Sequence, residues 1–345
     1  MKIMVTGGAG FIGSALVRYL IKHTAHEVLN IDKLTYAGDL STLGEVFRHP
    51  RHHFRQIDIT KAQAVYAEMK DFQPDAIMHL AAETHVDRSI TGAEAFVHTN
   101  INGTHQLLEV GKQYWEELPK SKQESFKFLH VSTDEVYGSL GKDGFFNEQS
   151  PYRPRSPYAA SKAASDHLVR SWFHTYGFPT MVSNCSNNYG PYQFPEKLIP
   201  LVLLKAMKEE PLPIYGKGEN IRDWLYVEDH VSALMLIIEK GSVGETYLIG
   251  GNQENTNLKV VHEICRILNQ LYPRKKGVYE ELIHFVKDRP GHDFRYAIDA
   301  QKIKEQLGWK PIHGFEDGLL ASVQWYLANR KWCEEMQKKA KTIQF

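Results

Sequence analysis

The chain has 345 residues, with 41 Lys and Arg balancing 41 Asp and Glu, and is 42% hydrophobic and 24% charged. That balance belongs to a globular protein and excludes a disordered or fibrous one; zero formal charge gives no reason to expect nucleic acid or an anionic membrane as partner. The three cysteines, Cys185, Cys265 and Cys333, form no C-x-x-C, so neither a disulfide framework nor a zinc site is indicated. No histidine spacing suggests a metal, and no apolar run approaches the roughly 20 residues that span a bilayer. A cytoplasmic enzyme is expected.

Through residue 185 short apolar runs alternate with helical stretches. Strands are expected over residues 2–6, 27–31, 54–57, 76–80, 126–132 and 180–184, with helices over 11–23, 61–70, 94–117 and 156–176. Unalternated apolar strands suit a parallel sheet buried on both faces. The βα rhythm implies an α/β, doubly wound Rossmann-type fold with right-handed crossovers. Beyond Tyr189 a cluster of Pro and Gly breaks the rhythm, from Gly190-Pro191 to Gly218. Residues 226–240 then read as a helix and 245–249 as a strand returning to the main sheet, before a second irregular stretch over 252–306. The expected organisation is a dinucleotide-binding domain of residues 1–189 plus about 224–251, and a smaller, discontinuous substrate domain of about 190–223 plus 252–315. The Lys-rich residues 330–345 read as a solvated helix or tail.

Thr6 to Gly13 (TGGAGFIG) joins the first strand to the first helix. Phosphate oxygens need free backbone N–H groups at a helix N-terminus, and glycines let them approach. Gly13 lets that helix pack closely on the strand. Asp32 ends the second strand 19 residues after Gly13. A carboxylate there accepts ribose hydroxyls and repels a 2′-phosphate, so NAD is favoured over NADP, a preference that Lys33 blurs. Asp58 fits an adenine contact or an ordinary turn.

Ser156 and Pro157 form a helix start that puts Tyr158 and Lys162 at i and i+4 on one face. A tyrosine of pKa ~10 is a poor base at neutral pH unless a nearby ammonium favours its phenolate. Asp134 and Glu135 directly follow the fifth strand, where parallel sheets hold ligands. From position alone they are equally an acid–base pair and a helix-capping pair.

These motifs together resemble the extended short-chain dehydrogenase/reductase superfamily. Five ordered runs, 79–89, 132–138, 184–198, 220–224 and 289–293, resemble the nucleotide-sugar 4,6-dehydratases, and the dTDP-glucose 4,6-dehydratases in particular. The resemblance covers residues 3 to about 312, with Thr84 where serine is frequent and Phe294 where arginine is frequent. It implies that Tyr158 takes the proton of the sugar 4-hydroxyl as NAD takes the C4 hydride, with Thr133 holding that hydroxyl and Lys162 supporting the phenolate. Glu135 would remove the C5 proton and Asp134 protonate the departing C6 hydroxyl. Hydride return to C6 gives a 4-keto-6-deoxy sugar for deoxysugar biosynthesis, such as that of dTDP-rhamnose, with NAD tightly bound and recycled.

The resemblance further implies NAD contacts from Gly7, Gly10, Phe11, Ile12, Gly13, Asp32, Lys33, Leu34, Thr35, Asp58, Ile59, Leu80, Ala81, Ala82, Thr84, Thr99, Tyr158, Lys162 and Asn188. It implies dTDP-glucose contacts from Thr84, His85, Thr133, Asn187, Lys197, Leu198, Pro213, Ile214, Tyr215, Arg222, Asn257, Arg289, Pro290, Gly291, His292 and Asp293. The arginines suit a diphosphate, although either alone also suits a surface ion pair. A homodimer through segments 94–117 and 156–176 is implied in the same way. The alternatives are a nucleotide-sugar 4-epimerase or decarboxylase, a 4,6-dehydratase acting on UDP-glucose, and a non-catalytic NAD-sensing module.

Overall fold

A computed structural model describes residues 1–288 and 290–342, so Arg289 lies outside the described residues. The strands, in chain order, are β1 (Lys2–Thr6), β2 (Glu27–Asp32), β3 (His52–Gln56), β4 (Ala76–His79), β5 (Lys127–Thr133), β6 (Thr180–Cys185), β7 (Asn187–Tyr189), β8 (Leu212–Tyr215), β9 (Ile221–Tyr226), β10 (Thr246–Ile249), β11 (Glu254–Thr256) and β12 (Ile283–Val286). Seven of them form one sheet in the order β3-β2-β1-β4-β5-β6-β10, every neighbouring pair parallel. The central strands carry Ile3, Val5, Ile77, Phe128 and Leu129, all buried, as sheet residues covered on both faces must be. Strand β3 starts at His52, ahead of its apolar run, and ends in exposed Arg55 and Gln56. It lies at the sheet edge, where only part of each residue needs cover.

Leu16, Leu20, Leu234 and Ile238 belong to one apolar cluster on the sheet, and Val65, Met69, Leu107 and Leu108 to another. The expected helix over 94–117 is present but not uniform. Ala93–Phe96 passes through a π-helical stretch, Val97–Gly103, into Thr104–Glu116. The wider turn buries Thr99 and Asn100, and such irregularities recur where helices serve a site. Asn100 accepts from Glu83 N at 2.8 Å and donates to Glu83 O at 3.0 Å and to Ser161 Oγ at 2.9 Å. It thereby ties the loop after β4 to the helix Pro157–Tyr176.

Strand β10 pairs with β6, Thr246 opposite Val182, so the chain does return to the main sheet. The remaining strands form two small sheets, β11-β9-β7 and β12-β8, over a core that includes Val202, Ile214, Trp224, Val261, Ile264, Leu319 and Val323. The C-terminal segment takes the helical one of its two expected forms, but it is docked on the protein and not wholly solvated. The helix Arg330–Thr342 buries Cys333 and Met336, the latter against Tyr36 and Phe194. Trp332 Nε1 donates to Ser41 Oγ at 2.9 Å and Lys339 Nζ to Gly38 O at 2.6 Å. The lysines that suggested solvent flank a narrow apolar face, which the sequence shows only as three large residues in four-residue spacing or less.

Among the described residues no helix is long and apolar enough to cross a membrane, no cluster of His, Cys, Asp or Glu could hold a metal ion, and Cys185, Cys265 and Cys333 are buried and unpaired.

Polar residues sit at the carboxyl ends of the central strands and below them. His79 lies between Thr6 Oγ1 at 2.7 Å and Thr104 Oγ1 at 2.9 Å, and His230 Nδ1 meets Asn188 Oδ1 at 2.9 Å. Burial pushes His130 down to about 4, His230 to about 3, and His79 well below the usual histidine value. All three are neutral in the folded chain, whereas the unfolded chain protonates them near pH 6.5. Their contribution is intact above pH ~6.5 and is lost as pH falls toward the folded values, by up to ~1.4 kcal/mol per histidine per pH unit. Urea denaturation at pH 7, 6 and 5 is expected to give falling midpoints; a midpoint unchanged across that range would contradict the buried neutral histidines.

Candidate active site

The site begins where β1 ends. Gly7 has φ +76°, and a Cβ there would come within 2.6 Å of Ala81 N, so neither its backbone nor its surroundings admit a side chain. A Cβ on Gly13 would overlap Gly7 O, which is how the helix Phe11–His23 lies directly on the strand. That helix starts at Gly10 without a side-chain cap, leaving its first N–H groups to the cavity that Gly10 lines. A Cβ on Gly10 would meet only Gly7 O, at 3.3 Å. The cradle is therefore open on the cavity side and closed behind.

Asp32 lines the same cavity, its Oδ2 accepting from Ala9 N at 2.9 Å and its Oδ1 from Leu34 N at 2.8 Å. Burial raises its carboxyl, and the two backbone donors act against that rise. Each oxygen keeps a further lone pair for a ribose hydroxyl. Leu34 is outside the cavity wall; at φ +57° it lends its N–H to Asp32. Lys33 lines the cavity and contacts Thr99 Oγ1 at 3.0 Å, Glu83 at 3.6 Å and Asp58 at 3.7 Å, so carboxylates offset its charge there. Asp58 also stays outside the wall, accepting from Thr60 N and Oγ1 at 2.9 Å as an ordinary turn aspartate does. Phe11, Ile12, Thr35, Ile59, Leu80, Ala81, Ala82, Thr84, Thr99 and Asn188 all line the cavity.

Its far end is formed by β5 and the helix Pro157–Tyr176. Ser156 Oγ accepts from Ala159 N at 3.1 Å and Pro157 takes the first turn, as the spacing predicts. Thr133, Asp134, Glu135, Tyr158 and Lys162 come together here. Thr133 caps the 3-10 turn Asp134–Tyr137, accepting from Glu135 N at 3.3 Å. The turn thus has its cap, and the two acids are left to face the cavity.

Their surroundings differ. Asp134 is 2% exposed and its carboxyl is raised well above the usual range by burial, then by the neighbouring Glu135 and Asp223. Its Oδ2 has no partner among the described residues, nor has Asn187 Oδ1 at the same wall. Two buried, unpartnered polar atoms on a cavity lining suit a polar ligand.

Tyr158 and Lys162 both line the cavity from the helix Pro157–Tyr176, as the i, i+4 spacing predicts. Lys162 Nζ turns into the sheet, donating to Val131 O at 3.0 Å and contacting His130 Nε2 at 3.2 Å. Burial lowers Lys162 to about 8 and raises the Tyr158 hydroxyl, with Glu135 adding to the rise and hydrogen bonds with Thr84 and Thr133 opposing it. The phenol is therefore neutral within the protein alone. Sequence spacing places the pair on one face but cannot weigh charge against burial.

The substrate-side residues are less concentrated. Asn187 and Lys197 line the cavity, Lys197 Nζ donating to Thr84 O at 3.3 Å. His85 Nδ1 accepts from Arg88 N at 3.4 Å and so caps a short helix, with Nε2 at 3.9 Å from Glu196. Arg222 is buried, its guanidinium donating to Asp293 O at 2.9 Å and Ile221 O at 2.7 Å and lying 4.4 Å from the Tyr296 ring. Burial within the second lobe, and not exposure on a basic surface, describes it. Ile214 is a core residue, which leaves its backbone for any ligand, whereas Tyr215 is exposed beside His292. His292 Nδ1 meets Asp288 Oδ1 at 2.7 Å, and Asp293 pairs with Arg155 at 3.1 Å. Leu198, Pro213, Asn257, Pro290 and Gly291 lie outside the cavity wall with them.

Sequence reasoning missed Glu196, Ser186 and Cys185 on the lining, as well as Asn100 beneath it. Glu196 lies within the run 184–198, and its 3.2 Å contact with Arg88 crosses 108 residues, which no local pattern reveals.

A family profile for GDP-mannose 4,6 dehydratase matches residues 4–321. The dTDP-glucose 4,6-dehydratase of Neisseria meningitidis serogroup B is 57% identical over 97% of this chain and 96% of its own length. The solved dTDP-glucose 4,6-dehydratase of Streptomyces venezuelae, with NAD and TYD bound, is 43% identical over 97% of this chain and all of that one, with a TM-score of 0.89. The UDP-glucose 4-epimerase of Thermotoga maritima also superposes, at a TM-score of 0.84 and 28% identity over 96% of this chain and 100% of that one, so the backbone alone does not separate the two chemistries. Identity above half over nearly the full length of both chains does separate them, and the chain belongs to the nucleotide-sugar 4,6-dehydratase family, alongside the dTDP-glucose 4,6-dehydratases.

Proposed function

We propose the following roles within a NAD-dependent dehydration of dTDP-glucose to dTDP-4-keto-6-deoxyglucose, a step of deoxysugar biosynthesis. The reading is carried by one observation: two adjacent acids in unlike surroundings, Asp134 and Glu135, share a cavity wall with Tyr158, Lys162 and the glycine cradle. NAD fits that cradle, with its phosphates at the open N-terminus before Phe11 and its adenosine ribose at Asp32. When bound, the cofactor supplies hydride acceptance from sugar C4 and hydride return to C6, with no net redox change.

The chain's own groups move the protons. Tyr158 Oη takes the proton of the 4-hydroxyl, which Thr133 holds, and the Lys162 ammonium steadies the phenolate. The 4-ketone acidifies the C5 proton, which a Glu135 carboxylate oxygen removes. Asp134, kept protonated by burial, passes its proton to the departing 6-hydroxyl as water leaves. One acid gives and its neighbour takes because their environments separate them.

Segments 215, 222 and 290–293 hold the nucleotide in this reading, with Arg289 at the diphosphate. The protein acts in the cytoplasm, consistent with three unpaired cysteines. It pairs as a homodimer, supported by Val97 and Tyr176, large apolar side chains exposed on the two helical segments concerned.

Incubation of dTDP-glucose with the purified protein in D2O, without added NAD, is expected to give a product lighter by one water, 6-deoxy and deuterated at C5. A 4-epimer of unchanged mass would instead establish an epimerase. Glu135→Gln is expected to lower turnover by about 10²–10⁴-fold, the usual worth of a general base, and to halt the sugar at the 4-ketone with its C6 oxygen retained. Gly10→Val places a side chain on the cavity side, its Cβ meeting Gly7 O at 3.3 Å, and is expected to fill the phosphate cradle, with circular dichroism checking that the variant is folded. Nicotinamide dinucleotide released on denaturing that variant is expected to drop to a small fraction of the wild-type amount; full occupancy would place the cofactor elsewhere.

A further inference from the structure

The helix Pro157–Tyr176 presents Tyr158, Lys162, Asp166 and Arg170 at four-residue steps, and only the first two line the cavity. Asp166 is fully buried. Its Oδ1 stands 3.2 Å from His130 Nε2, the same ring nitrogen that lies 3.2 Å from Lys162 Nζ. Its Oδ2 accepts from Tyr152 Oη at 2.8 Å and Asn184 Nδ2 at 3.0 Å, and Arg170 in turn donates to Tyr152 Oη at 2.8 Å. Side chains therefore adjoin from Arg170 through Tyr152, Asp166 and His130 to Lys162; the Asp166–His130 step is a close approach, Asp166 Oδ1 and His130 Nδ1 having no hydrogen-bond partner among the described residues.

Several of the other titratable groups facing this chain are held neutral by burial, while Glu148 faces Tyr137 and the His167 ring lies 5.2 Å from that of Tyr152. Burial lowers His79 on β4, whose ring lies 5.1 Å from that of His130, and lowers His130 itself. It raises Cys185 on β6 and Tyr137 and Tyr152 in the segment after β5. On the cavity side stand Tyr158, also raised by burial, and the acids Asp134 and Glu135. Within the chain itself, the charges are the Lys162 ammonium, the Asp166 carboxylate and the Arg170 guanidinium. A buried ionised carboxylate is a weak device for stability alone, because apolar residues of similar volume fill the same space at least as well.

We propose that Asp166 is a positioning residue: through His130 it supplies the buried negative charge that keeps Lys162 protonated and so sets the pH at which Tyr158 can take the sugar's proton. The proposal rests on the role given to Tyr158 above. His130 remains neutral throughout, its Nε2 either accepting from Lys162 or donating to Asp166, so no proton is gained or lost along the chain.

The test is the pH profile of the single-turnover sugar-oxidation rate in purified holoenzyme. Asp166→Asn removes the charge and keeps the shape. Its acidic limb is expected to move up by about one pH unit, which makes the rate below the limb about tenfold lower, while the rate well above the limb approaches wild type. Asp166→Glu restores the charge and is expected to bring the limb back toward its original position. An Asp166→Asn protein that folds, keeps its cofactor and shows an unmoved limb overturns the proposal. If that variant is not recovered, Tyr152→Phe is read instead, since it leaves the Asp166 charge in place. Its limb must then stay where the wild-type limb lies or below, and an upward displacement overturns the proposal. Tyr158→Phe separates this failure from a larger one: if it still turns over, the acid–base reading itself falls.

Discussion

A lysine ammonium that is 3% exposed needs donors satisfied and a charge answered, and the site is arranged around that requirement at Lys162. Strand β5 contributes Val131 O and His130 to the ammonium, and its next residues are Thr133, Asp134 and Glu135. The helix Pro157–Tyr176 contributes the lysine, and one turn earlier the tyrosine. Two elements meeting at one buried cation thus fix the relative positions of every group that is assigned a proton to move. The sheet supplies rigidity, since β5 has β4 on one side and β6 on the other.

The same burial has opposite consequences for the two acids. Asp134 lies under the turn, next to Asp223 and Arg222, where a charge finds no water, and its proton is retained. Glu135 is one residue further on and half-buried, in contact with the cavity. Both acids reach the cavity, but they differ in burial, and in the proposed reading that difference separates a proton donor from a proton acceptor. An epimerase on the same backbone has no use for such a split, which is why the pair carries more information than the fold.

Much of this was legible before any coordinates. Strands that are apolar throughout, the glycine run between a strand and a helix, Asp32 at the next strand end, and the Ser156-Pro157 start each rest on a local rule, and local rules survive folding. Contacts across the chain were not legible. Asp58 and Leu34 are expected cofactor contacts by position; the structure adds local roles for them, one making a turn and the other lending an N–H to Asp32. The π-helical turn at Val97–Gly103 leaves no mark in a periodicity of 3.6. Asp166 was visible as a carboxylate four residues beyond Lys162, yet such a spacing on an exposed helix is an ordinary ion pair. Only burial gives it another meaning. The closing helix was misread for a similar reason, since its many lysines outweigh the few residues that dock it against Tyr36 and Phe194.

The distribution of the substrate residues follows from the size of the ligand. A nucleotide sugar must place its hexose over the strand ends while its nucleotide reaches away from them. In the proposed reading the residues doing chemistry, Thr133, Asp134, Glu135 and Tyr158, crowd one cavity wall, whereas most of those assigned to the nucleotide lie outside it. Within that lobe Arg222 is held by the carbonyls of Ile221 and Asp293, and Asp293 by Arg155, so the segment around 293 is braced from both sides. A brace of this kind transmits position: Arg222 also acts on Asp134, lowering the carboxyl that burial raises. One guanidinium thus touches the segment around 293 and also bears on the acid to which the proposed reading gives the departing water.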